Sequence, residues 1–194
     1  MNPQENHWRG PEGNAYQDRN QVDWTLRVPF WRHILDVTQA RTVLDVGCAC
    51  GWNQRAIQEV DKDIWTVGVD VNEYALEKAR NDGFFVVNQK AMNVGDSRNS
   101  KVDLAVTSGV LIHVPEDEIA RTMWSIAQAA TRFVLAIEYA SESGDTESIV
   151  YRGEPELLWR RDWRRLYEAL GLRLVEMGFA DGYDRCTYYL MSKS

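Results

Sequence analysis

Short apolar runs alternate with longer amphipathic segments along most of the chain. Seven of these runs are predicted strands: 42–46, 64–69, 84–87, 102–107, 133–137, 172–177 and 187–191. The segments between them predict helices over 52–60, 72–81, about 115–130 and 162–170. Strands that alternate with helices in this way form βαβ units and a parallel sheet.

The last two predicted strands have no helix between them, so we expect them to form an antiparallel hairpin on the sheet edge. The sequence therefore predicts an α/β fold. Its sheet is mostly parallel and seven-stranded, with helices on both faces and a final antiparallel strand.

The N-terminal part of the chain has a different pattern. Its first twenty residues combine glycine, proline and many polar groups, which predicts a loop. Residues 22–39 have helical apolar spacing, interrupted at Pro29. We therefore divide the chain into an N-terminal lid or helical segment over 1–40 and a ligand-binding domain over 41–194.

Composition narrows the class of protein. The 194 residues carry a net charge of −7, which argues against broad binding to nucleic-acid phosphates. Three cysteines do not form a disulfide framework, and their spacing does not match a common zinc site, so we expect a reducing, cytoplasmic setting and no metal. We find no signal peptide, and no apolar run reaches the roughly 18 residues of a membrane span.

The strongest chemical signal is a glycine-containing turn between the first predicted strand and its helix. Gly47 and Gly51 let the backbone turn sharply, and the following helix begins with free N–H groups that can face a ligand. Asp70 follows at the end of the next strand, 19 residues after Gly51. An acid at this place can accept hydrogen bonds from a ribose diol.

Residues 43–53 resemble motif I of the class I S-adenosylmethionine-dependent methyltransferases, and residues 67–72 resemble their acidic-loop motif. The resemblance implies a Rossmann-like fold, S-adenosylmethionine as cofactor and S-adenosylhomocysteine as product. It assigns Asp45 and Gly47 to the methionine half of the cofactor and Asp70 to the ribose. The other implied cofactor residues are Cys48, Gly51, Trp52, Val71, Met92, Asn93, Val94, Ser108 and Gly109. Among them, Asn93 is assigned to the adenine amino group, and Cys50 departs from the family pattern as a small packing residue.

A narrower resemblance covers segments outside the motifs. The segments around Tyr16 and Arg19, 109–114, 151–154 and 159–163 are similar to the methylases found with pseudaminic acid biosynthesis. This resemblance implies a sugar or nucleotide-sugar acceptor. It adds Tyr16 and Arg19 to the site. Arg19 is a candidate clamp for the cofactor carboxylate, because N-terminal segments commonly cover such sites, and the alternative is an ordinary surface charge.

Three residues are candidates for a catalytic base. His113 lies four residues beyond Gly109 at the mouth of the fourth strand, where ligands bind in open α/β sheets. Glu138 and Tyr139, just past the fifth strand, are the second candidates. The alternative for all three residues is a structural role in capping a loop or helix.

A local cluster of arginines follows residue 150 in this acidic chain. Arginine binds carboxylates and phosphates bidentately, so we assign Tyr151, Arg152 and Arg161 to an anionic acceptor. The alternative is a solvated helix face formed by the arginines at 160, 161, 164 and 165. Trp8, Trp24 and Trp52 lie near the expected ligand mouth, whereas we expect Trp31, Trp65 and Trp124 to pack in the core.

The sequence favours methyl transfer to a small, polar, anionic acceptor, without a nucleic-acid or membrane partner. Three alternatives remain open. A nucleic-acid base methyltransferase is disfavoured by the charge and by the absence of an N/D-P-P-Y/F/W segment. A non-catalytic cofactor-binding module would keep the same motifs, and a nicotinamide oxidoreductase would have a different glycine pattern.

Overall fold

The computed structural model describes residues 3–96 and 101–193. The described residues form nine strands, seven α-helices and three 3₁₀ helices, Trp24–Arg27, Ala91–Asp96 and Leu111–His113. The strands are β1 Thr42–Val46, β2 Trp65–Asp70, β3 Val86–Asn88, β4 Val102–Ser108, β5 Ala130–Glu138, β6 Glu147–Tyr151, β7 Glu154–Arg160, β8 Arg173–Phe179 and β9 Thr187–Ser192. The helices are α1 Pro3–Arg9, α2 Pro11–Arg19, α3 Val28–Thr38, α4 Trp52–Val60, α5 Glu73–Asn81, α6 Glu116–Ala129 and α7 Trp163–Ala169.

Seven strands form one sheet in the order β3-β2-β1-β4-β5-β9-β8. β1 pairs in parallel with both β2 and β4, and β4 pairs in parallel with β5. β9 runs antiparallel to β5 and β8. The predicted α/β fold, with a mostly parallel seven-stranded sheet and a final antiparallel strand, is confirmed.

Helices cover both faces of the sheet. Side chains alternate between the two faces along each strand, so neighbouring residues pack in different core clusters. Val43 of β1 packs in a core cluster with Trp31 of α3 and Ile57 of α4. Its neighbour Leu44 packs in a second cluster with residues of α6 and α7, including Met123. The sheet therefore lies between two helical layers, and its strand ends stay available for a site.

The N-terminal segment is helical where a loop was predicted. Gly10 lies at the N-cap of α2 and Pro11 occupies the first helical turn. Proline is well tolerated there because its missing N–H has no partner in the helix. The same reasoning corrects Pro29, which lies in the first turn of α3 and does not interrupt the helix.

A second, two-stranded sheet was not predicted. β6 and β7 pair in antiparallel fashion around a turn at Arg152 and Gly153, whose φ angles are 54° and 86°. Two central residues with positive φ are typical of a tight hairpin turn, which usually carries asparagine and glycine. The first of these two turn positions is occupied by Arg152, so the usual sequence signal of the turn is absent. In addition, residues 157–159 are all buried and do not show the alternation of a half-buried strand.

Two of the predicted core tryptophans lie at the surface. Trp31 is fully buried, whereas Trp65 and Trp124 are about half exposed. In the ranges 3–96 and 101–193, no helix combines the length and the apolar character needed to cross a membrane.

Candidate active site

A cavity of about 640 Å³ opens at the carboxyl ends of β1, β2 and β4. Its other walls include residues of α1, α2, the turn of the β6–β7 hairpin and the segments around Arg27, Lys90, His113 and Tyr183. Thirteen of the predicted site residues line it: Tyr16, Gly47, Cys48, Trp52, Asp70, Val71, Met92, Ser108, Gly109, His113, Tyr139, Tyr151 and Arg152. Seven others do not contribute to the lining: Arg19, Asp45, Gly51, Asn93, Val94, Glu138 and Arg161.

The glycine loop has the tight geometry that the sequence predicted. Gly47 has a φ of 74°, and a Cβ atom at this position would lie 2.2 Å from a methyl carbon of Val110. Gly51 has a φ of 81° at the N-cap of α4. A Cβ atom there would lie 2.8 Å from the ring of Phe84. Larger residues would therefore both strain the loop and displace its neighbours.

Asp70 lies at the end of β2 and faces the cavity. Its Oδ2 accepts a hydrogen bond from the backbone N–H of Ala49 at 2.9 Å, and its Oδ1 accepts one from Asn72 at 2.8 Å. Burial raises the pKa of this carboxyl. Each oxygen keeps a further lone pair, so the carboxylate can still accept bonds from a ribose diol.

Asn72 ties this acid to the N-terminal helices. Its side-chain amide donates to the backbone oxygen of Trp8 at 2.7 Å and to Oδ1 of Asn14 at 2.9 Å. Asn72, two residues after Asp70, therefore connects α1 and α2 to the cavity wall.

Asp45 lies behind the cavity wall and is only 1% exposed. Its Oδ1 accepts a hydrogen bond from Nδ2 of Asn53, which lines the cavity, at 3.0 Å. Its Oδ2 has no hydrogen-bond partner among the described residues. Burial raises the pKa of Asp45 to about 6. A buried carboxylate oxygen without a partner is costly, which is consistent with a ligand group that completes the site.

Arg27 is a cavity residue that the sequence analysis missed. Its Nη1 donates to Oδ1 of Asn53 at 2.8 Å, and its Nε donates to the backbone oxygen of Gly182 at 3.3 Å. The predicted clamp Arg19 is exposed and does not contribute to the cavity lining. A signal for Arg27 was present, because it stands four residues before the fully buried Trp31 and thus on the same side of a helical turn.

The predicted adenine segment only partly reaches the cavity. Met92 lines the wall together with Gln89 and Lys90. Asn93 accepts a bond from Nε2 of Gln89 through its backbone oxygen at 2.9 Å, and Val94 is buried in the core. The predicted base contacts of Asn93 and Val94 therefore do not fit their positions.

His113 lies in a short 3₁₀ turn, Leu111–His113, on the cavity wall. Its Nδ1 lies 2.6 Å from the backbone oxygen of Leu157 in β7. Because a carbonyl oxygen only accepts, Nδ1 carries the proton and Nε2 keeps its lone pair. The rings of Trp8 and Tyr151 lie 4.5 Å and 5.5 Å from the imidazole, and burial lowers the pKa of His113 to about 4.

Glu138 supports this turn from the end of β5. It is fully buried and accepts hydrogen bonds from the backbone N–H groups of Val110 and Leu111 at 3.2 Å and of Ile112 at 3.4 Å. Burial raises its pKa to about 7. A carboxyl group whose two oxygens both accept bonds from backbone N–H groups does not fit the predicted role of a base. Its position fits the alternative of a capping residue.

Arg161 is also a structural residue at this turn and is 1% exposed. It donates to the backbone oxygens of Leu111 at 3.1 Å and Val114 at 2.9 Å, and pairs with Glu116 at 3.1 Å. The predicted contact of Arg161 with an acceptor does not fit this position. The alternative of a solvated helix face fits Arg164 and Arg165, which are exposed on α7.

Three further predicted residues line the cavity: Tyr151 and Arg152 of the acceptor set and the candidate base Tyr139. Arg152 is exposed, and its guanidinium lies 5.5 Å from the ring centroid of Tyr151. The hydroxyl of Tyr139 donates to Oδ2 of Asp184 at 2.5 Å, and burial together with this bond raises the pKa of Tyr139. A raised pKa keeps the tyrosine protonated, so Tyr139 is a hydrogen-bonding wall residue at neutral pH.

Comparison with known proteins places the fold. Residues 43–132 match the family described as a methyltransferase domain. The chain resembles the sugar N-methyltransferase KedS8 from Streptoalloteichus sp ATCC 53650, with a TM-score of 0.71 and 14% identity over 93% of this chain and 92% of KedS8. It also resembles magnesium protoporphyrin IX methyltransferase from Synechocystis PCC 6803, with a TM-score of 0.67 and 13% identity over 100% and 99% of the two chains.

A third similar structure is 1,6-didemethyltoxoflavin-N1-methyltransferase from Burkholderia thailandensis, with a TM-score of 0.71 and 17% identity over 99% of this chain and 89% of that chain. No curated protein sequence matches the chain significantly. At identities this low, the similarity shows a shared fold. The names of the three enzymes specify different acceptors, so the comparison does not identify the acceptor of this chain.

The class of protein follows from the domain match and the site together. The fold is that of the Rossmann-like class I methyltransferases, and the matched segment contains the glycine loop and Asp70. The chain is an S-adenosylmethionine-dependent methyltransferase.

Proposed function

We propose that this enzyme transfers a methyl group to a small polar acceptor that carries an anionic group, such as a sugar acid or a nucleotide sugar. One observation carries the proposal: the glycine loop, Asp70, His113 and Arg152 all line a single cavity. Its volume of about 640 Å³ lies within the range of roughly 300–1,000 Å³ that is typical of small-molecule sites.

The residues present fit the cofactor. When bound, S-adenosylmethionine supplies a methyl group already activated on a sulfonium. Asp70 would hold the ribose, and Val71 and Met92 would lie against the adenine. The unpartnered Oδ2 of Asp45 and the guanidinium of Arg27 suit an ammonium and a carboxylate, which are the charged groups of the amino-acid end.

His113 orients the acceptor. Its Nδ1 proton is committed to Leu157, so Nε2 can accept a hydrogen bond from the attacking hydroxyl or amine. With a pKa of about 4 the imidazole is neutral and a weak base. Its main contribution is therefore alignment of the attacking atom, because orientation supplies much of the rate of such a reaction.

Two observations support a sugar-like acceptor with a negative charge. Tyr16, His113, Tyr151 and Arg152 belong to the segments that resemble the pseudaminic acid-associated methylases. They are far apart in the sequence, yet all line this cavity. Arg152 is exposed on the rim, where it can bind a carboxylate or phosphate bidentately.

The cofactor part of the proposal is tested by calorimetry with S-adenosylmethionine, S-adenosylhomocysteine and NAD. We expect micromolar binding of the two sulfur compounds and no binding of NAD. The acceptor part is tested by incubating the enzyme with S-adenosylmethionine and a panel of nucleotide sugars, sugar acids and neutral sugars, with S-adenosylhomocysteine formation measured by mass spectrometry.

The charge of the acceptor is tested with Arg152→Gln. For an anionic acceptor found in the panel, we expect KM to rise at least tenfold while the affinity for S-adenosylhomocysteine stays unchanged. Arg164→Gln is the matched control, because Arg164 is an exposed arginine that pairs with Glu168 on α7 and does not contribute to the cavity lining. An unchanged KM in Arg152→Gln, or turnover of neutral sugars alone, would contradict the anionic acceptor.

A further inference from the structure

A buried line of hydrogen bonds connects the C-terminal part of the chain to the cofactor loop. Nε1 of Trp31 donates to the hydroxyl of Tyr183 at 2.8 Å, and that hydroxyl donates to Oδ1 of Asn53 at 2.7 Å. Nδ2 of Asn53 then donates to Oδ1 of Asp45 at 3.0 Å. All four side chains are at most 4% exposed, and they come from α3, the β8–β9 connection, α4 and β1.

The direction of this line is fixed by the chemistry of its members. An indole N–H can only donate, so the Tyr183 oxygen accepts from Trp31 and its own proton goes to Asn53. Nη1 of Arg27 donates to the same Asn53 oxygen at 2.8 Å. The amide group of Asn53 is therefore turned toward Asp45.

A line of donors that ends on a carboxylate favours its ionised form and fixes its orientation. In Asp45 this leaves Oδ2 as a buried oxygen without a hydrogen-bond partner in the part of the chain that the structure describes. Without Tyr183, Asn53 would lose one of the two donors that hold its side-chain oxygen. The amide could then rotate away from Asp45.

The same contacts position Arg27. Its Nη1 is held by Asn53 and its Nε by the backbone oxygen of Gly182, while its guanidinium carbon lies 4.1 Å from the centroid of the Tyr183 ring. The β8–β9 connection thus supports the guanidinium through both a backbone and an aromatic contact. The carboxylate of Asp45 behind the cavity wall and the guanidinium of Arg27 on that wall supply one charge of each sign, which is the complement of an α-amino acid group.

We propose that Tyr183 is a positioning residue for the amino-acid end of the cofactor, acting through Asn53 to hold Asp45 and Arg27 in their binding geometry. This inference rests on the proposed cofactor site. It gives the loop between β8 and β9 a function in cofactor recognition, although this loop is more than 120 residues away from the glycine loop in sequence.

The test compares two ligands that differ only at the amino-acid end. S-adenosylhomocysteine carries this group, whereas 5′-methylthioadenosine keeps the adenosine and the sulfur and lacks it. For Tyr183→Phe, we expect the affinity for S-adenosylhomocysteine to fall about tenfold and the affinity for 5′-methylthioadenosine to stay unchanged in calorimetry. Tyr167→Phe is the matched control, because Tyr167 is a buried tyrosine whose hydroxyl has no partner among the described residues.

Asn53→Ala provides a second variant, for which we expect the same selective loss, and thermal unfolding verifies that each variant is folded. An equal loss for both ligands would mean that Tyr183 only stabilises the fold, and unchanged binding of both would mean that it positions nothing. Either result overturns the inference while leaving the cofactor site in place. A wild-type enzyme that binds neither ligand would instead overturn the proposed function, and this inference with it.

Discussion

Three ionisable groups lie at or behind the cavity, and burial changes the pKa of each in the direction that favours the neutral form of the side chain. The pKa of Asp45 is raised to about 6 and that of Glu138 to about 7, whereas the pKa of His113 is lowered to about 4. At neutral pH Asp45 is therefore mainly ionised and His113 is neutral. These charge states suit a carboxylate that binds an ammonium and an imidazole that accepts a hydrogen bond.

Replacing His113 tests the alignment role. We expect His113→Ala to lower kcat by about 100-fold, at the low end of what a positioned proton acceptor contributes. The affinity for S-adenosylhomocysteine should stay within twofold of the wild type. His33→Ala is the control, since His33 is half exposed and pairs with Glu176 away from the cavity. Full activity of His113→Ala would remove this residue from the mechanism.

The ionisation of Asp45 predicts a pH dependence of cofactor binding. Below its pKa of about 6 the carboxyl group is protonated and loses its attraction for an ammonium, so the affinity for S-adenosylhomocysteine should fall as the pH drops from 7 to 5. Calorimetry over this range measures the effect. Binding of 5′-methylthioadenosine reports any titration of Asp70, and a parallel loss for both ligands would contradict the assignment to Asp45.

At the scale of elements, the turn that carries His113 is held from three sides. Glu138 binds the backbone N–H groups before His113, Arg161 binds two carbonyl oxygens around it, and Leu157 in the β6–β7 hairpin binds its ring. The sequence analysis selected Glu138 as a candidate base and Arg161 as an acceptor residue, whereas their contacts show that both support the turn. A single short turn thus depends on β5, β7 and the residue that follows β7.

Arg161→Met tests this support. The substitution removes the guanidinium from the backbone oxygens of Val114 and Leu111, of which Leu111 keeps the N–H of Val114 as a donor. It also breaks the ion pair of the buried guanidinium with Glu116, so we expect the free energy of unfolding to fall by about 3 kcal/mol. Urea denaturation measures the change. Arg164→Met should change the stability by less than about 0.5 kcal/mol, because its ion pair with Glu168 is exposed. Similar values for the two variants would contradict the anchoring role.

The predictable parts of the molecule are those with a local signal. Strand and helix periodicity predicted the main sheet. The spacing of Gly47, Gly51 and Asp70 predicted a ligand-binding loop at the carboxyl ends of β1 and β2, where the cavity opens. The β6–β7 hairpin was missed because Arg152 occupies a turn position that usually carries asparagine. The bond between Asn53 and Tyr183 joins residues 130 positions apart, and no local pattern in the sequence encodes such a contact.

At the scale of the whole molecule, the N-terminal helices form a wall of the site and stay outside the core. The cavity wall includes Gln4, Trp8, Tyr16 and Gln17 from α1 and α2. Residues before Trp24 are absent from the described core clusters. The helices are instead held by polar contacts, such as that of Gln4 with the backbone oxygen of Glu156 at 2.9 Å, and by the ring contact of Trp8 with His113. We propose that residues 1–40 include a lid over the cofactor, formed by these two helices.

Removal of residues 1–20 tests whether the two helices act as a lid or stabilise the fold. Because these residues bury little of the core, we expect the melting temperature to change by only a few degrees. Affinity for S-adenosylhomocysteine should fall at least tenfold and methyl transfer should be lost, since the site would open to water and lose Trp8 beside His113.

Hydrogen exchange on the full chain provides a second view of the same lid. Amides of α1 and α2 should exchange faster than those of the central strands in the free enzyme, and S-adenosylhomocysteine should slow them. The point mutant Asn72→Ala is the matched variant, because it removes the contacts to Trp8 and Asn14, together with the side-chain cap of α5, while keeping the chain intact. A truncated enzyme that unfolds would show that the helices stabilise the fold, and one that binds the cofactor normally would show that they are not a lid.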